Sequence, residues 1–285
     1  MQDKLVAITG PNRGLGEKLV ECFWLAGYDL LLIGRDFNAI SQQVDDLPLR
    51  ESQSVKYLLS DFSDPRQVEM AATKLKFEYP KLYALINNAA TQGPIGPFWE
   101  NDFVDWQSSL QVNLLAPVTL CKAVVPNMIE NFDGVILNIS GGGATGPRAN
   151  FSSYATAKAG LVRFSETLAD ETRRFGIRVN CIAPGAMKTN MLGEVIKRGL
   201  LAAGNKEYEI AMKVFSDGGA SMDLVAQLAL FISSPAGNEI SGKLISAVWD
   251  NWKDWPKHIK ELADSDAYTL RRITGRDRGF EWGDR

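Results

Sequence analysis

The chain has 285 residues, of which 45% are hydrophobic and 23% are charged, and its formal net charge is -3. These values are typical of one large soluble α/β domain, and they give no electrostatic reason to expect a nucleic acid or an anionic membrane as a partner. The chain has one histidine, His258, and three scattered cysteines, Cys22, Cys121 and Cys181, so the sequence argues against a Ser-His-Asp hydrolase and predicts no metal site.

The N-terminus and the apolar segments bear on where the protein resides. The first residues lack a charged leader followed by a long apolar run, and the sequence shows no obvious segment of about 20 apolar residues that could span a bilayer. We therefore expect a cytoplasmic protein with no membrane partner, in which the cysteines are buried thiols.

Short apolar runs alternate with helix-period stretches along the chain, a pattern typical of a parallel sheet covered on both faces. The expected strands lie near residues 4–9, 29–33, 54–59, 82–87, 134–140, 177–183 and 240–247. Helices are expected at 14–27 and at 152–175, the second ending before Gly176. A further helical stretch, 103–130, contains Pro117 and Pro126, which predict a kink or break.

Two segments depart from this alternation. Residues 186–220 mix several glycines with helix formers, which indicates a mobile lid over a binding site or, alternatively, an ordinary surface excursion. Residues 249–285 form a C-terminal extension after a domain of residues 1–248. Because the extension carries Trp249, Trp252, Trp255 and Trp282, we expect it to dock rather than to be disordered.

A glycine-rich turn joins the first expected strand to the first expected helix. It contains Gly10, Gly14 and Gly16. Glycine allows backbone amides to approach a pyrophosphate closely, and the start of the helix adds the positive end of its dipole. The turn therefore predicts a dinucleotide-binding site.

Tyr154 and Lys158 lie four residues apart in Tyr-Ala-Thr-Ala-Lys, within the expected helix 152–175. Positions four apart share one face of a helix, so the phenol and the ammonium project together. A neighbouring cation favours the phenolate and lowers the pKa of a tyrosine toward the range useful for proton transfer. Together with the upstream glycine turn, the pair indicates nicotinamide-dependent hydride transfer.

The motifs of residues 4–247 resemble those of the compact, single-domain branch of the short-chain dehydrogenase/reductase family. Five resemblances accompany the Tyr154 and Lys158 pair: the Thr-Gly-x-x-x-Gly-x-Gly turn, Asp61 after the third strand, Asn87-Asn88-Ala89-Ala90, Asn113 in Val-Asn-Leu, and Pro184-Gly185 with Met187 and Thr189. The resemblance implies a Rossmann-like doubly wound parallel sheet of about seven strands, with the lid and the C-terminal extension added.

The resemblance also implies roles for individual residues. Tyr154 would exchange a proton with the substrate carbonyl or alcohol, Lys158 would bind the nicotinamide ribose and lower the tyrosine pKa, and Asn113 would complete a proton relay to solvent. The expected cofactor contacts are Gly10, Asn12, Arg13, Gly14, Leu15, Gly16, Arg35, Asp61, Phe62, Asn88, Ala89, Tyr154, Lys158, Pro184, Gly185, Met187 and Thr189.

The sequence departs from the family pattern at the catalytic serine. The position thirteen residues before Tyr154 is Gly141, and Ser140 stands one place earlier. A shift of one residue on a strand turns a side chain to the opposite face. Either the glycine run following Ser140 re-aims its hydroxyl, which would make Ser140 a fourth catalytic residue, or backbone amides replace that hydroxyl.

The end of the second expected strand bears on cofactor choice. Gly34 occupies the position where NAD-preferring relatives carry a carboxylate, and Arg35 follows it. Arg13 adds a second guanidinium within the glycine turn, and two guanidiniums suit a 2′-phosphate. Although Asp36 could pair with Arg35, the pattern predicts a preference for NADP(H) over NAD(H).

Substrate identity is less constrained. Arg148 and Asn150 make the loop before Tyr154 polar, which favours a hydroxylated or anionic small molecule or is only a surface feature. A 3-oxoacyl-thioester reductase and a sugar or polyol dehydrogenase both remain open. A non-catalytic dinucleotide sensor or scaffold is a third reading, supported mainly by Gly141. By resemblance, we expect a homodimer or homotetramer assembled through the helices near 103–130 and 152–175.

Overall fold

The computed structural model describes residues 4–48, 50 and 52–282. Residues 1–3 of the predicted domain 1–248 and residues 283–285 of the predicted C-terminal extension therefore lie outside the described residues. Within the described ranges, one sheet contains seven strands. The strands are β1 (Leu5–Thr9), β2 (Asp29–Gly34), β3 (Val55–Leu59), β4 (Leu82–Asn87), β5 (Gly134–Ile139), β6 (Ile177–Ala183) and β7 (Leu244–Ser246). All neighbouring pairs are parallel. The predicted doubly wound α/β fold is confirmed.

The central strands β1, β4 and β5 are buried at almost every position because both of their faces are covered. Val6 and Ile8 of β1 pack in one buried cluster, whereas Ala7 between them packs in another on the opposite face. Successive side chains of a strand point to opposite faces, so one continuous apolar run supplies both cores.

Strand order places a cleft at the middle of the sheet. The order is β3-β2-β1-β4-β5-β6-β7, so the chain reverses its direction of winding between β1 and β4. In open α/β sheets the connections diverge at such a point, leaving a crevice outside the carboxyl ends of the strands. The glycine turn after β1 and the residues after β4 border this crevice.

Helices cover both faces of the sheet. Within the described residues they are α1 (Leu15–Leu25), α2 (Phe37–Asp45), α3 (Pro65–Glu78), α4 (Phe103–Leu110), α5 (Ala116–Asn131), α6 (Ser152–Thr172), α7 (Asn190–Ala203), α8 (Asn205–Asp217), α9 (Met222–Ser233) and α10 (Ile259–Ala263). The expected helix 152–175 ends as predicted, because a short 3₁₀ turn follows α6 and Gly176 then adopts a left-handed φ of 71°.

The proline-containing stretch differs from the prediction. α5 continues through Pro126 without ending there, whereas the irregularity is a π-helical turn, Gln111–Leu115, between α4 and α5. Pro117 has no N–H to donate to the carbonyl of Asn113 four residues earlier, so an unbroken α-helix is not available at this point.

The combined helix Phe103–Asn131 is long and apolar enough to cross a membrane by length and composition alone, whereas the sequence predicts no such segment. Its α5 part packs on α3 and on strands β4 and β5, with Leu120, Cys121 and Met128 fully or almost fully buried. A buried core helix passes the same length and composition test, so this segment is weak support for a membrane span.

The expected lid segment forms helices rather than a long loop. α7 and α8 meet at Gly204 and pack against each other, and Met187 pairs with Gly219 where the segment leaves and rejoins the domain. Its apolar residues pack on Phe151 and Ile95 in a separate small cluster. The segment is therefore a helical cap seated on the loop that precedes α6.

The C-terminal extension docks on the domain, in part as expected. Trp252 and Trp255 are buried in the main core, and Trp255 lies 4.4 Å from the Tyr268 ring. The Tyr268 carbonyl accepts a hydrogen bond of 2.7 Å from the amide of Leu244, on the outer edge of β7. Trp249 and Trp282, in contrast, are 84% and 74% exposed.

Replacing Trp255 with alanine should lower the free energy of unfolding by about 3–5 kcal/mol, because a large buried aromatic group is removed from the core. Trp249→Ala is the matched control and should change it by no more than about 0.5 kcal/mol. Urea unfolding of both variants measures the difference. Equal effects of the two substitutions would contradict the docking of the extension.

Candidate active site

The glycine turn brings the start of α1 against the end of β1. Gly10 and Gly14 have positive φ values of 62° and 55°. A Cβ on Gly16 would collide with the carbonyl oxygen of Gly10, so this approach requires glycine. The first turn of α1 receives no capping side chain, because its N-cap residue is Gly14. Its amides therefore suit the anionic pyrophosphate of a dinucleotide.

Asn88 and Thr9 fasten this turn to the end of β4. The Asn88 side-chain amide donates 3.0 Å hydrogen bonds to the carbonyls of Thr9 and Gly10. The Thr9 hydroxyl oxygen accepts 2.9 Å bonds from the backbone amides of Asn88 and Ala89. The side chain of Asn88, an expected cofactor contact, is thus used to hold the glycine turn in shape.

The expected adenosine side of the cleft carries an exposed cation. A Cβ on Gly34 would lie 3.0 Å from Ile40 Cδ1, so this packing leaves little room for the carboxylate of NAD-preferring relatives. Asp36 accepts a 3.1 Å bond from Ala39 and caps α2 rather than pairing with Arg35. The 68% exposed side chain of Arg35 instead lies 3.7 Å from the Asp61 carboxylate.

Asp61 is held as a carboxylate at this edge. Hydrogen bonds from the Ser63 amide and hydroxyl, followed by the charge of Arg35, lower the pKa of Asp61. Its neighbour Phe62 is buried. Arg13 and Asn12, the other predicted contacts at this end, lie in the glycine turn with Arg13 exposed.

The segment after β6 closes the opposite end of the cleft. Gly185 has a φ of 78°. Thr189 caps α7 by accepting a bond of 3.3 Å from the Leu192 amide, and its methyl group lies 3.5 Å from the position of a Cβ on Gly14. Of the predicted nicotinamide-side residues, Pro184, Gly185, Met187 and Thr189, it is Thr189 that reaches the glycine turn.

Tyr154 and Lys158 lie on one buried face of α6, as the spacing predicts. The Lys158 ammonium is 5.6 Å from the centre of the Tyr154 ring and donates a 2.8 Å hydrogen bond to the Ile139 carbonyl at the end of β5. Burial lowers the pKa of Lys158 to about 8. The ammonium therefore remains largely charged at neutral pH, but at a cost in solvation.

The charge environment of Tyr154 differs from the expectation. Burial raises the pKa of Tyr154, and the Arg148 guanidinium opposes that rise. The sequence reading had predicted a lowered pKa caused by Lys158. In this structure desolvation of the phenolate outweighs the neighbouring charge.

Asn113 lies in the π-helical turn and is fully buried. Its side-chain amide donates 2.9 Å bonds to the carbonyls of Thr91 and Ser109, and its side-chain oxygen accepts a 3.2 Å bond from the Thr91 amide. The side chain thus joins the segment after β4 to this turn, which packs against α6. Because Pro117 has no N–H, the Asn113 backbone carbonyl accepts no hydrogen bond from it.

The glycine at position 141 shapes the space around the reactive phenol. A Cβ on Gly141 would overlap the Tyr154 hydroxyl and approach its ring to 3.0 Å. In this arrangement, the hydroxyl occupies the space that a side chain at position 141 would fill. Ser140 is buried, and its hydroxyl has no hydrogen-bond partner among the described residues. The structure therefore does not connect Ser140 to Tyr154.

Sequence reasoning missed Glu207 entirely and gave Arg148 only a general polar role. The Arg148 guanidinium donates a 2.8 Å hydrogen bond from Nε to one carboxylate oxygen of Glu207 in α8, and its Nη2 forms a 2.8 Å ion pair with the same oxygen. No local pattern signals this pair, because 59 residues separate the partners.

Both the sequence and the fold of this chain are similar to those of known dehydrogenases and reductases. A family model described as short chain dehydrogenase matches residues 4–198. The 3-oxoacyl-(acyl-carrier-protein) reductase FabG of Chlamydia pneumoniae is 30% identical over 243 residues, which cover 85% of this chain and 94% of the relative. The 7alpha-hydroxysteroid dehydrogenase of Escherichia coli is 28% identical over 251 residues, covering 86% of this chain and 93% of the relative.

A solved structure shares the fold. YwfH, described as an NADPH dependent reductase involved in bacilysin biosynthesis, has a TM-score of 0.75 and 23% identity. The alignment covers 86% of this chain and 96% of YwfH.

Gly141→Ala should reduce turnover by on the order of 10²-fold, because the added methyl group displaces the Tyr154 hydroxyl from its position. Gly146→Ala, in the same loop, is the control, because a Cβ there meets nothing within 4 Å. Steady-state kinetics, with circular dichroism to verify folding, measure the effect. Unchanged turnover in Gly141→Ala would show that the hydroxyl does not need this space.

Proposed function

Because the chain belongs to the short-chain dehydrogenase family and is an oxidoreductase that acts on CH–OH or carbonyl groups, we propose that it transfers a hydride between NADP(H) and a small carbonyl or alcohol substrate, with Tyr154 as acid and base. The observation that carries the proposal is the buried pair of Tyr154 and Lys158 at the carboxyl end of β5. The pair borders the same cleft as the glycine turn.

A bound dinucleotide would supply the hydride for reduction, or accept it in oxidation, at its nicotinamide ring. Tyr154 would give its hydroxyl proton to the carbonyl oxygen during reduction and would take the alcohol proton during oxidation. Lys158 would bind the ribose hydroxyls with the ammonium that now contacts the Ile139 carbonyl. Asn113, whose backbone carbonyl faces no N–H of Pro117, would hold a water of the proton relay.

NADP(H) is the cofactor that the charges favour. Arg35 is exposed and Arg13 lies in the turn beside it, so two guanidiniums could bind a 2′-phosphate through charge-assisted hydrogen bonds. The tight packing of Ile40 around Gly34 disfavours the carboxylate that would bind a free ribose hydroxyl. Since Asp36 is engaged as a helix cap, a 2′-phosphate would compete for Arg35 only with Asp61, its one ion-pair partner among the described residues, at 3.7 Å.

A hydroxylated or anionic carbonyl compound is the proposed substrate class, and α7 and α8 are the proposed lid. The Arg148 and Glu207 pair links the lid to the loop before α6, which would let binding and closure occur together. A FabG relative makes a 3-oxoacyl thioester the principal alternative to a sugar or polyol substrate.

Assembly and location are further parts of the proposal. Phe103 and Val104 of α4 are exposed, as is Leu115 just before α5, and such apolar groups on these helices support a homodimer or homotetramer. The three cysteines are free thiols, two of them buried, which fits a reducing cytoplasm.

A second candidate function, a non-catalytic dinucleotide sensor, is favoured by one specific observation. Gly141 removes the hydroxyl that the family uses beside its tyrosine, and loss of such a donor costs on the order of 10²–10³ in rate. The retention of the buried Tyr154, Lys158 and Asn113 supports the enzyme instead.

The enzyme proposal predicts turnover in a screen of ketones, aldehydes, 3-oxoacyl thioesters and polyols, followed by NADPH absorbance. Tyr154→Phe should lower the rate by on the order of 10²–10⁴-fold, because the proton donor is removed while the ring is retained. Tyr79→Phe, at the end of α3, is the control. Tight dinucleotide binding with no turnover on any compound would favour the sensor.

Arg35→Ser should weaken NADPH binding by about tenfold or more and leave NADH binding nearly unchanged, since only the 2′-phosphate contact is lost. Arg174→Ser, at an exposed position after α6, serves as the control. Fluorescence titration with both cofactors gives the affinities. Tighter or equal NADH binding by the unaltered protein would reject the preference.

A further inference from the structure

The Tyr154 hydroxyl lies against the backbone of Gly141, where the chain has no side-chain hydroxyl to bind it. Gly141 supplies only its Cα at this position, and no hydrogen bond between Ser140 and Tyr154 is found among the described residues. A phenolate formed in this buried space would need another source of positive charge, since burial alone raises the pKa of the phenol.

Arg148 is built into the wall of the same space. Its guanidinium carbon lies 3.9 Å from the centre of the Phe151 ring and 5.6 Å from the centre of the Tyr154 ring. Its side chain passes beside Gly142, where a Cβ would lie 3.7 Å from Cδ and Nε. The side chain is only 12% exposed, so its charge acts through a medium that screens it less than water does.

Glu207 fixes the direction of this guanidinium. A hydrogen bond from Nε and an ion-pair contact from Nη2 of Arg148, each 2.8 Å long, meet at one oxygen of Glu207, whose side chain is 17% exposed. Because Glu207 lies in the first turn of α8, the position of the cation depends on the seating of the helical cap. Stacking on Phe151 holds the opposite side of the guanidinium.

Three charged groups bear on the phenol. Lys158 projects from the same helix but directs its ammonium to the Ile139 carbonyl. Arg148 approaches from the loop before α6, and Glu207 approaches behind it from α8 and partly neutralises it. Arg148 is thus the cation whose charge opposes the effect of burial on Tyr154 in this structure.

We propose that Arg148 is a positioning residue that stabilises the phenolate of Tyr154 in place of the missing serine hydroxyl, and that Glu207 holds Arg148 there when the cap is seated. The inference rests on the proposed function. In reduction, the carbonyl carbon gains a hydride from the reduced dinucleotide, and the carbonyl oxygen gains the Tyr154 proton. The electron pair of the broken O–H bond stays on the phenolate, beside the guanidinium, until solvent returns a proton.

Arg148→Gln tests this role, with Arg163→Gln of the α6 surface ion pair as the matched control. Removing the cation raises the pKa of Tyr154, so the rise of alcohol oxidation with pH should move to higher pH. The oxidation rate at neutral pH should fall by on the order of tenfold, because less phenolate is present. In reduction, the decline at high pH should also move to higher pH. A profile shaped like that of the control would overturn the proposal.

A readout without substrate separates this inference from the proposed function. The ionisation of Tyr154 can be followed by NMR of tyrosine labelled at Cζ, with Tyr154→Phe identifying its resonance among the seven tyrosines. A shift to higher pH in Arg148→Gln supports the charge role even if no substrate is turned over. An unshifted Tyr154 resonance would overturn it even in an active enzyme.

Two further variants keep the test decisive if Arg148→Gln does not fold. Arg148→Lys retains the positive charge but not the forked guanidinium. In this variant, Tyr154 should ionise at a pH closer to that of the unaltered protein than to that of a neutral variant. Glu207→Gln removes the neutralising carboxylate while keeping a hydrogen-bond acceptor, so the ionisation of Tyr154 should move to lower pH. A shift to higher pH in both variants would overturn the proposal.

Discussion

The site depends on glycines whose backbone approaches neighbouring atoms too closely for any side chain to fit. At Gly16 this close approach seats the start of α1 on the carbonyl of Gly10, and at Gly141 it gives the Tyr154 hydroxyl its space. Both contacts lie at the carboxyl ends of strands bordering the central cleft, where the chain has no room for a Cβ. The absence of a side chain at Gly16 and Gly141 therefore positions both the glycine turn and the Tyr154 phenol.

The second determinant of the site is a pair of largely buried positive charges, Lys158 and Arg148, whose burial lowers the stability of the folded protein. Lys158 is buried deeply enough for its pKa to fall to about 8, and Arg148 is largely enclosed with a carboxylate as its partner. Burying charges costs free energy unless each is well hydrogen-bonded. The bonds to Ile139 and Glu207 meet this need, and they also tie the catalytic helix to a strand and the preceding loop to the cap.

Most of the fold could be predicted from the sequence because the strands that supply both cores are mainly apolar and stand out as short runs. The last strand is shorter than predicted, Leu244–Ser246, since Gly242 just before it has a left-handed φ of 75°. Tyr154 and Lys158 were found from their helical spacing. Glu207 and the direction of the Tyr154 pKa shift could not be found, because each depends on burial and on contacts between distant segments.

The hydrogen bond between Leu244 and Tyr268 has a consequence for how copies of this protein can meet. A border strand with unpaired amides is a template onto which another chain can add. Here the outward amide of Leu244 is already occupied by the carbonyl of Tyr268, while Trp255 anchors the segment that carries it. The extension thus occupies this position on the outer edge of β7 and hinders another strand from adding to the sheet there.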